Sequence, residues 1–128
     1  MRWMLDTNVA IHLRDGDPQV LERVATLEGA VLMSIVTRVE LEGGVYRDPE
    51  WTDRRRARLD VMLAAIPTVA FDVPAADAYG AIVAHAGYSR RKLLDRMIAA
   101  QAIVHRATLV TRNPDDFREI PGLTLVSW

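Results

Sequence analysis

Short runs of apolar residues without polar alternation recur along this chain and predict strands buried on both faces. The first run breaks abruptly into small polar residues, and the later runs are bounded by polar or turn-forming residues. Five strands are predicted, at residues 3–5, 30–36, 68–71, 107–110 and 123–126. Such strands are typical of a parallel sheet that is covered by helices.

Between these runs, apolar residues recur at the three- and four-residue spacing of helices. The predicted helices begin after residue 8 and then cover residues 18–27, 37–47, 51–66, 72–85 and 93–106. The alternation indicates an α/β protein, and we predict three layers, α/β/α, around a central parallel sheet of four to five strands. Right-handed crossovers place the carboxyl ends of all the strands at one edge of that sheet.

The composition narrows the class of protein. With 128 residues, the chain is long enough for one domain with a core and too short for two, so we expect residues 1–128 to form a single domain. The 16 basic and 17 acidic residues nearly cancel, so any polyanion must be held by local charge or by a metal ion. Without cysteine, disulfides and thiolate zinc sites are excluded. No apolar run approaches the length of a membrane span, and we expect a cytoplasmic protein without membrane association.

Four acidic residues follow the ends of predicted strands. Asp6 comes directly after the first strand, and Glu40 lies one helical turn beyond the second. Asp95 is in the first turn of the helix that leads to the fourth strand, and Asp116 is in the loop after that strand. If the first strand is central, all four carboxylates meet at one edge of the sheet, where α/β proteins bind their ligands.

Each of these acids also has a structural explanation. Asp6 is well placed to cap the following helix. Thr37 and Glu40 have the spacing of a capping box, in which the glutamate binds the backbone amide of the threonine. Asp95 suits the positive end of a helix dipole. The spacing alone leaves both interpretations open.

Carboxylates gathered in one cleft repel one another, and a divalent cation removes that repulsion. Oxygen ligands without cysteine or suitably spaced histidine favour Mg²⁺ or Mn²⁺, a site suited to phosphodiester hydrolysis. A small phosphatase on a similar sheet is the alternative enzyme. It would need a glycine-rich phosphate loop or an aspartyl nucleophile motif, and the chain has neither.

Two further patterns lie in the third and fourth predicted helices. Gly43 and Gly44 each cost about 1 kcal/mol in a helix relative to alanine, which indicates that something packs close to the backbone there. The basic run of the fourth helix is typical of a solvated face; it consists of Arg54, Arg55, Arg56 and Arg58.

Four segments of the chain resemble one known family, the PIN domain, and specifically the VapC-type toxins of bacterial toxin–antitoxin pairs. The segments are residues 4–8, 34–41, 94–100 and 111–117, and they occur in the family's order and at its separations. The resemblance covers nearly the whole chain and implies a PIN-like fold.

The resemblance also implies roles for single residues. The residues that match the family's catalytic and metal-binding acids are Asp6, Glu40, Asp95 and Asp116. Those that match its polar supporting positions are Thr7, Asn8, Ser34 and Thr111. The chain departs from the family at Asn113, where the wider pattern has an acid. The fourth oxygen ligand is therefore Asp116, Asp115 or Asn113, and an amide at Asn113 would weaken any second metal ion.

The function that the resemblance implies is that of a toxin. Such a toxin is a Mg²⁺-dependent or Mn²⁺-dependent endoribonuclease that inhibits translation and growth. The resemblance also implies an antitoxin that neutralises the enzyme, and an arginine of that antitoxin would pair with the carboxylates. The RNA would contact basic residues that flank the acids in sequence: Arg90, Arg91, Lys92 and Arg112. A catalytically idle PIN domain is the alternative, but it would have lost acids that this chain keeps. The RNA target, its cleavage sequence and the number of metal ions stay open.

Two assemblies are expected. We predict a homodimer through the fourth and fifth strands and the alanine-rich fifth helix, because a domain of this size leaves apolar surface there. We also predict a larger hetero-oligomer with the antitoxin, whose helix would lie between the third and fourth helices near Gly44 and Trp51.

Overall fold

Five parallel strands form the centre of the structure, in the order β3-β2-β1-β4-β5. The computed structural model describes residues 1–128. The strands are β1 Arg2–Leu5, β2 Ala30–Ser34, β3 Thr68–Val69, β4 Thr108–Thr111 and β5 Thr124–Ser127. The predicted α/β class with a parallel sheet is confirmed, and β1 is the central strand.

Six helices cover the sheet. They are α1 Thr7–Arg14, α2 Pro18–Ala25, α3 Ile35–Arg47, α4 Thr52–Ala65, α5 Val73–Ala86 and α6 Leu93–Val104. Short 3-10 turns at Pro49–Trp51 and Pro114–Phe117 precede α4 and follow β4. None of the helices is both long enough and apolar enough to cross a membrane.

The central strands β1 and β4 pack against helices on both faces, which divides the core in two. Met4 and Leu109 belong to a cluster with residues of α5 and α6, whereas their neighbours Leu5 and Val110 belong to a cluster with residues of α1 to α4. This arrangement explains why the strand segments lack polar alternation, since side chains of both orientations pack against helices.

The second predicted strand is too long at its carboxyl end. Residues 30–36 were expected to be extended, but β2 ends at Ser34 and α3 starts at Ile35. The Ser34 hydroxyl accepts a hydrogen bond from the backbone N–H of Val36 at 3.0 Å, so Ser34 caps α3 and the predicted helix start at Thr37 is wrong. The third strand is also shorter than predicted, with two residues instead of four.

The α3–α4 pair is held together by arginine side chains of α4. Arg55 donates to a carboxylate oxygen of Asp48 at 2.8 Å and to the carbonyl of Gly44 at 2.9 Å. Arg56 donates to Glu42 at 2.7 Å. At these two positions the interpretation of the basic run as a solvated face is wrong, because the side chains bind α3 and the turn that follows it.

Close packing at the glycine pair occurs at one position only. A Cβ atom on Gly44 would lie 3.0 Å from Nη1 of Arg14, a buried side chain of α1. A Cβ atom on Gly43 would meet nothing within 4 Å, so the expectation is wrong for Gly43.

An open apolar groove lies on the other side of α4, between that helix and α1 and α2. Its volume is about 560 Å³, and its apolar lining includes Leu13, Leu21, Val24, Val61 and Ala65. Leu21 and Val61 are 47% and 71% exposed. This cavity lies on the face of α4 opposite to α3, and the groove predicted between α3 and α4 stays a prediction.

The end of α6 carries an unusual residue. Arg106 has a positive φ of 52°, and the hydrogen bonds from Arg106 N to Ile103 O and from Ala107 N to Ala102 O form the Schellman motif that ends many helices. Glycine normally occupies this position because any Cβ atom is strained in the left-handed conformation. The Arg106 side chain is exposed, so little packing offsets the strain.

We expect Arg106→Gly to raise the free energy of unfolding by about 0.5–1 kcal/mol, because relief of strain exceeds the added freedom of the unfolded chain. Urea denaturation followed by circular dichroism measures the change. Arg118→Gly is the control, since Arg118 has ordinary αR backbone angles and should gain nothing. A destabilised Arg106→Gly protein would show that the arginine side chain contributes a contact.

Candidate active site

A polar cleft of about 530 Å³ opens at the carboxyl edge of the sheet. The acidic residues that line it are Asp6, Glu40, Asp95 and Asp116. Asp6 directly follows β1, and Asp116 lies in the 3-10 turn after β4. Glu40 is in the second turn of α3, and Asp95 is in the first turn of α6. The sheet order brings these elements together, because β1 lies between β2 and β4.

Asp6 both caps a helix and lines the cleft. Its backbone N–H donates to the carbonyl of Val110 at 3.0 Å, which fixes the residue beside β4. One carboxylate oxygen accepts from the N–H of Val9 at 2.9 Å, and the other accepts from the hydroxyl of Thr111. Burial raises the pKa of Asp6, although these two hydrogen bonds oppose the shift. Asp6 is therefore both a helix cap and a residue of the acidic cleft, so both interpretations left open by the sequence apply to it.

Glu40 is oriented by a pair of threonines. The Thr7 hydroxyl donates to Oε1 of Glu40 at 2.8 Å and lies 3.0 Å from the hydroxyl of Thr37. Because Thr7 has one hydroxyl proton, Thr37 is the donor to Thr7. The capping-box interpretation of Glu40 is wrong: α3 begins at Ile35, and Glu40 reaches across to α1.

Thr37 was missed as a residue that orients the site. It is fully buried, and it was interpreted only as a helix cap. Its position three residues before Glu40 was a usable signal, since that spacing places two side chains on the same face of a helix.

Asp95 is half-buried, and no hydrogen bond to its carboxylate is present. Burial raises its pKa to about 6, and repulsion from Asp116, Asp6 and Glu40 adds to the shift. Lys92 rather than Asp95 is the N-cap residue of α6, and no side chain caps that helix. Asp95 does lie in the first turn of α6, as predicted, where the helix dipole favours an acid, but no ion pair or hydrogen bond neutralises its charge. Its carboxylate is therefore available to a cation.

The loop after β4 holds the three candidates for the fourth oxygen ligand. The amide Nδ2 of Asn113 donates to Oδ2 of Asp116 at 2.8 Å, and its backbone N–H donates to the Thr111 hydroxyl at 2.9 Å. Asp116 lines the cleft, whereas Asp115 forms an ion pair with Arg118 at 2.6 Å. Asn113 therefore orients Asp116.

The family of the chain follows from its sequence together with this fold. Residues 3–123 match the PIN domain family. The chain belongs to the PIN domain family.

Individual relatives narrow this assignment. Ribonuclease VapC2 of Rickettsia felis is 30% identical over 136 residues, which cover 100% of this chain and 98% of the relative. The tRNA(fMet)-specific endonuclease VapC of Shigella flexneri is 30% identical over 131 residues, with coverage of 100% and 98%. The crystal structure of VapBC2 from Rickettsia felis, bound to a promoter DNA fragment, matches with a TM-score of 0.86 at 26% identity, over 100% of this chain and 99% of that chain. The protein is a VapC-type PIN domain.

The basic residues predicted for RNA binding in this PIN domain lie in different surroundings. Arg90 and Arg91 line the acidic cleft. Lys92 and Arg112 do not line it, and Nη1 of Arg112 is 3.6 Å from a carboxylate oxygen of Asp17.

The other residues predicted to support the site also differ in whether they line the cleft. Asn8 lines the cleft with its neighbour Thr7. Ser34 does not; it is fully buried, and its hydroxyl donates to Oε1 of Gln101 while capping α3. Sequence patterns gave no hint of the apolar side chains that share the cleft lining, which are Ile11, Leu93 and Leu94.

The donor set of the cleft fits a hydrated divalent ion. No three histidine, aspartate or glutamate side chains lie close enough to enclose one metal ion. Mg²⁺ does not need such a cage, because it keeps several waters and binds proteins through one or two carboxylates. Asp95, with its free carboxylate and raised pKa, is the strongest single candidate for direct contact.

The raised pKa of Asp95 predicts that the metal-free protein loses stability as the pH rises from about 4 to about 6. The folded state keeps the proton of Asp95 up to a pKa of about 6, whereas the unfolded state releases it near the ordinary value of 3.8. Allowing for the exposure of a half-buried group, we expect a loss of about 1–2 kcal/mol in this window.

Asp95→Asn should reduce the change of the free energy of unfolding with pH in this window. Urea denaturation in EDTA between pH 4 and pH 7 measures that change. Asp6 also contributes to the slope, so some dependence should remain. Asp115→Asn is the matched control, because that carboxylate lies outside the cleft lining. Equal slopes in Asp95→Asn and the parent would contradict the assignment.

Proposed function

We propose that this PIN domain is a divalent-metal-dependent endoribonuclease and the toxin of a toxin–antitoxin pair, which hydrolyses RNA to inhibit translation and growth. The observation that carries the proposal is the set of four carboxylates in one cleft, three of which raise the pKa of the fourth, Asp95. The names of the ribonuclease and endonuclease relatives support the reaction class. Transfer RNA is a candidate substrate, since the Shigella flexneri relative is named for it.

In this proposal Mg²⁺, or Mn²⁺ in its place, would be held by Asp6, Glu40, Asp95 and Asp116, by one or two of them directly and by the others through its waters. When bound, the ion would supply an activated water and stabilise negative charge on the phosphate. Asn113 orients Asp116 through its amide and brings no charge, which disfavours a tightly held second ion.

The other cleft residues position the RNA and the carboxylates. Arg90 and Arg91 bind the phosphate backbone beside the acids. Ile11, an apolar residue of the cleft lining, contacts the ribose or base faces. Thr37 acts through Thr7 to hold Glu40 in place, so that its carboxylate does not have to be ordered during each turnover.

We further propose that an antitoxin neutralises the enzyme. Solved structures that resemble this chain include a toxin–antitoxin complex from Klebsiella pneumoniae and VapBC-5 of Mycobacterium tuberculosis, a member of the VapBC family of toxin–antitoxin systems. The apolar groove between α1, α2 and α4 fits an amphipathic helix of such a partner, because its exposed Leu21 and Val61 would be covered. An arginine from the antitoxin would pair with the carboxylates of the cleft and exclude the metal ion.

A homodimer is part of the proposal. Exposed apolar side chains lie at the start of α5 and around the start of α6, namely Val73, Tyr88 and Leu94, which are 74%, 75% and 46% exposed. A second copy that covers this surface would bring the two clefts into one groove, and the antitoxin would extend the dimer to a larger hetero-oligomer.

The purified protein should cleave RNA in Mg²⁺ or Mn²⁺ and not in EDTA, and Glu40→Gln and Asp95→Asn should each lower the rate by at least about 100-fold. Combining the two changes should cost little more than one, because the acids act as a unit. Gel electrophoresis of labelled transfer RNA and messenger RNA measures cleavage, and Asp115→Asn is the control of unchanged activity.

Two results would favour the alternatives. Hydrolysis of p-nitrophenyl phosphate with intact RNA would indicate a phosphatase. Metal-independent RNA binding without cleavage would indicate an idle binding module.

The threonine pair generates a separate prediction. Thr37→Val should lower kcat about tenfold and raise the Mg²⁺ concentration for half-maximal rate, with little change in KM for RNA, because Glu40 loses its orientation. Thr37→Ser should recover most of the loss, since it keeps the hydroxyl. A valine variant that folds, as judged by its melting temperature, and cleaves at the parent rate would remove Thr37 from the site.

A further inference from the structure

A third, smaller pocket lies at the amino-terminal end of α4, and we call it the arginine pocket. It has a volume of about 240 Å³ and is lined by Asp15, Trp51, Arg54, Arg55 and Arg58. The guanidinium of Arg54 lies over the Trp51 ring at 5.2 Å from its centroid, and Trp51 is 41% exposed. The stacking holds Arg54 at the mouth of the pocket.

The arginine pocket carries positive charge without a partner. Asp15 forms an ion pair with Arg14 at 3.1 Å, and Arg55 is paired with Asp48 at 2.8 Å. Arg54 forms no ion pair and no hydrogen bond within the chain. Arg58 donates only to a backbone carbonyl, that of Asp15, at 2.9 Å.

The two unpaired arginines lie one helical turn apart, where they can bind a carboxylate together. Their fork-shaped donors suit a carboxylate better than a single lysine would. The surface thus offers a receptor for one acidic side chain.

The arginine pocket continues into the apolar groove. Arg58 lines both, and a Cβ atom on Gly16, another residue of the groove, would lie 3.7 Å from Nη1 of Arg58. From Arg54 to Ala65, α4 spans roughly 16 Å, about three turns of a partner helix. The charged end and the apolar length therefore form one surface along α4.

We propose that the arginine pocket binds an aspartate or glutamate of the antitoxin, placed one helical turn beyond the apolar stripe of the helix that fills the groove. This inference rests on the proposed function, because it takes the antitoxin as the occupant. RNA is a poorer occupant, since the pocket shares no lining residue with the acidic cleft and opens onto apolar side chains that a phosphate backbone would not fill.

The contact with an acidic side chain determines the orientation of the partner helix in the groove and which antitoxin binds. An apolar groove alone accepts many amphipathic helices in either direction. A carboxylate at the amino-terminal end of α4 sets one orientation, and a partner without it leaves two arginines beside an apolar interface. The arginine pocket is therefore the element that distinguishes the cognate antitoxin from others.

The test is a double-mutant cycle on the complex with the antitoxin encoded beside the gene for this chain. Arg54→Gln is the main variant, since Arg54 makes no hydrogen bond whose loss would affect folding. It should raise the dissociation constant, measured by surface plasmon resonance, about tenfold. Replacing the antitoxin's acid by glutamine should raise it equally, and both changes together should cost no more than one.

Two controls separate this inference from the proposed function. Arg106→Gln removes an exposed charge at the far end of α6 and should leave the dissociation constant unchanged. Val61→Asp places a charge in the apolar groove and should weaken binding severely. If Val61→Asp does so while Arg54→Gln and Arg58→Gln bind as the parent, the arginine pocket is overturned and the groove stands.

The remaining outcomes are equally decisive. If Arg54→Gln weakens binding of labelled RNA and not of the antitoxin, the pocket belongs to the substrate and the inference is wrong. If no antitoxin binds the parent protein and the parent protein cleaves no RNA, the proposed function is wrong, and the inference that rests on it is wrong too.

Discussion

Repulsion among four carboxylates is the constraint on which the candidate site depends. The sheet order brings Asp6 and Asp116 to one edge, and α3 and α6 add Glu40 and Asp95. Folding therefore gathers charges that oppose it, and burial together with this repulsion raises the pKa of Asp95. Hydrogen bonds from Val9, Thr111 and Thr7 hold two of the acids, while Asp95 is left without such support. The four carboxylates therefore lower the stability of the folded protein, and a bound cation would offset that loss.

The sequence predicted the fold well because its signals are local and repeated. Apolar runs of strand length alternate with helical spacing, and right-handed crossovers then leave little choice in where the strand ends lie. The acids could be found for the same reason, since each follows a strand end or starts a helix. The errors arose where two local signals compete: Ile35 and Val36 favour a strand, but the Ser34 hydroxyl starts the helix before them.

Partners of long side chains could not be predicted from the pattern. Four arginines of α4 look alike in sequence, yet Arg55 and Arg56 bind α3 and the turn after it, while Arg54 stacks on Trp51. Which partner each takes depends on helix packing that brings together residues far apart in the chain. The apolar cavity on the other side of α4 could not be predicted for the same reason, because its lining comes from three helices whose packing the pattern does not specify.

The double use of Asp6 has a practical consequence for anyone who wants to produce this protein. Both oxygens of its carboxylate accept hydrogen bonds that support the fold, one at the start of α1 and one from Thr111 of β4, so replacing Asp6 would disturb the fold as well as the proposed site. The carboxylate of Asp95 accepts no hydrogen bond that supports the fold. An expression host that cannot tolerate the active protein is therefore best given the asparagine variant at Asp95, which keeps the scaffold contacts and relieves the crowding of charge.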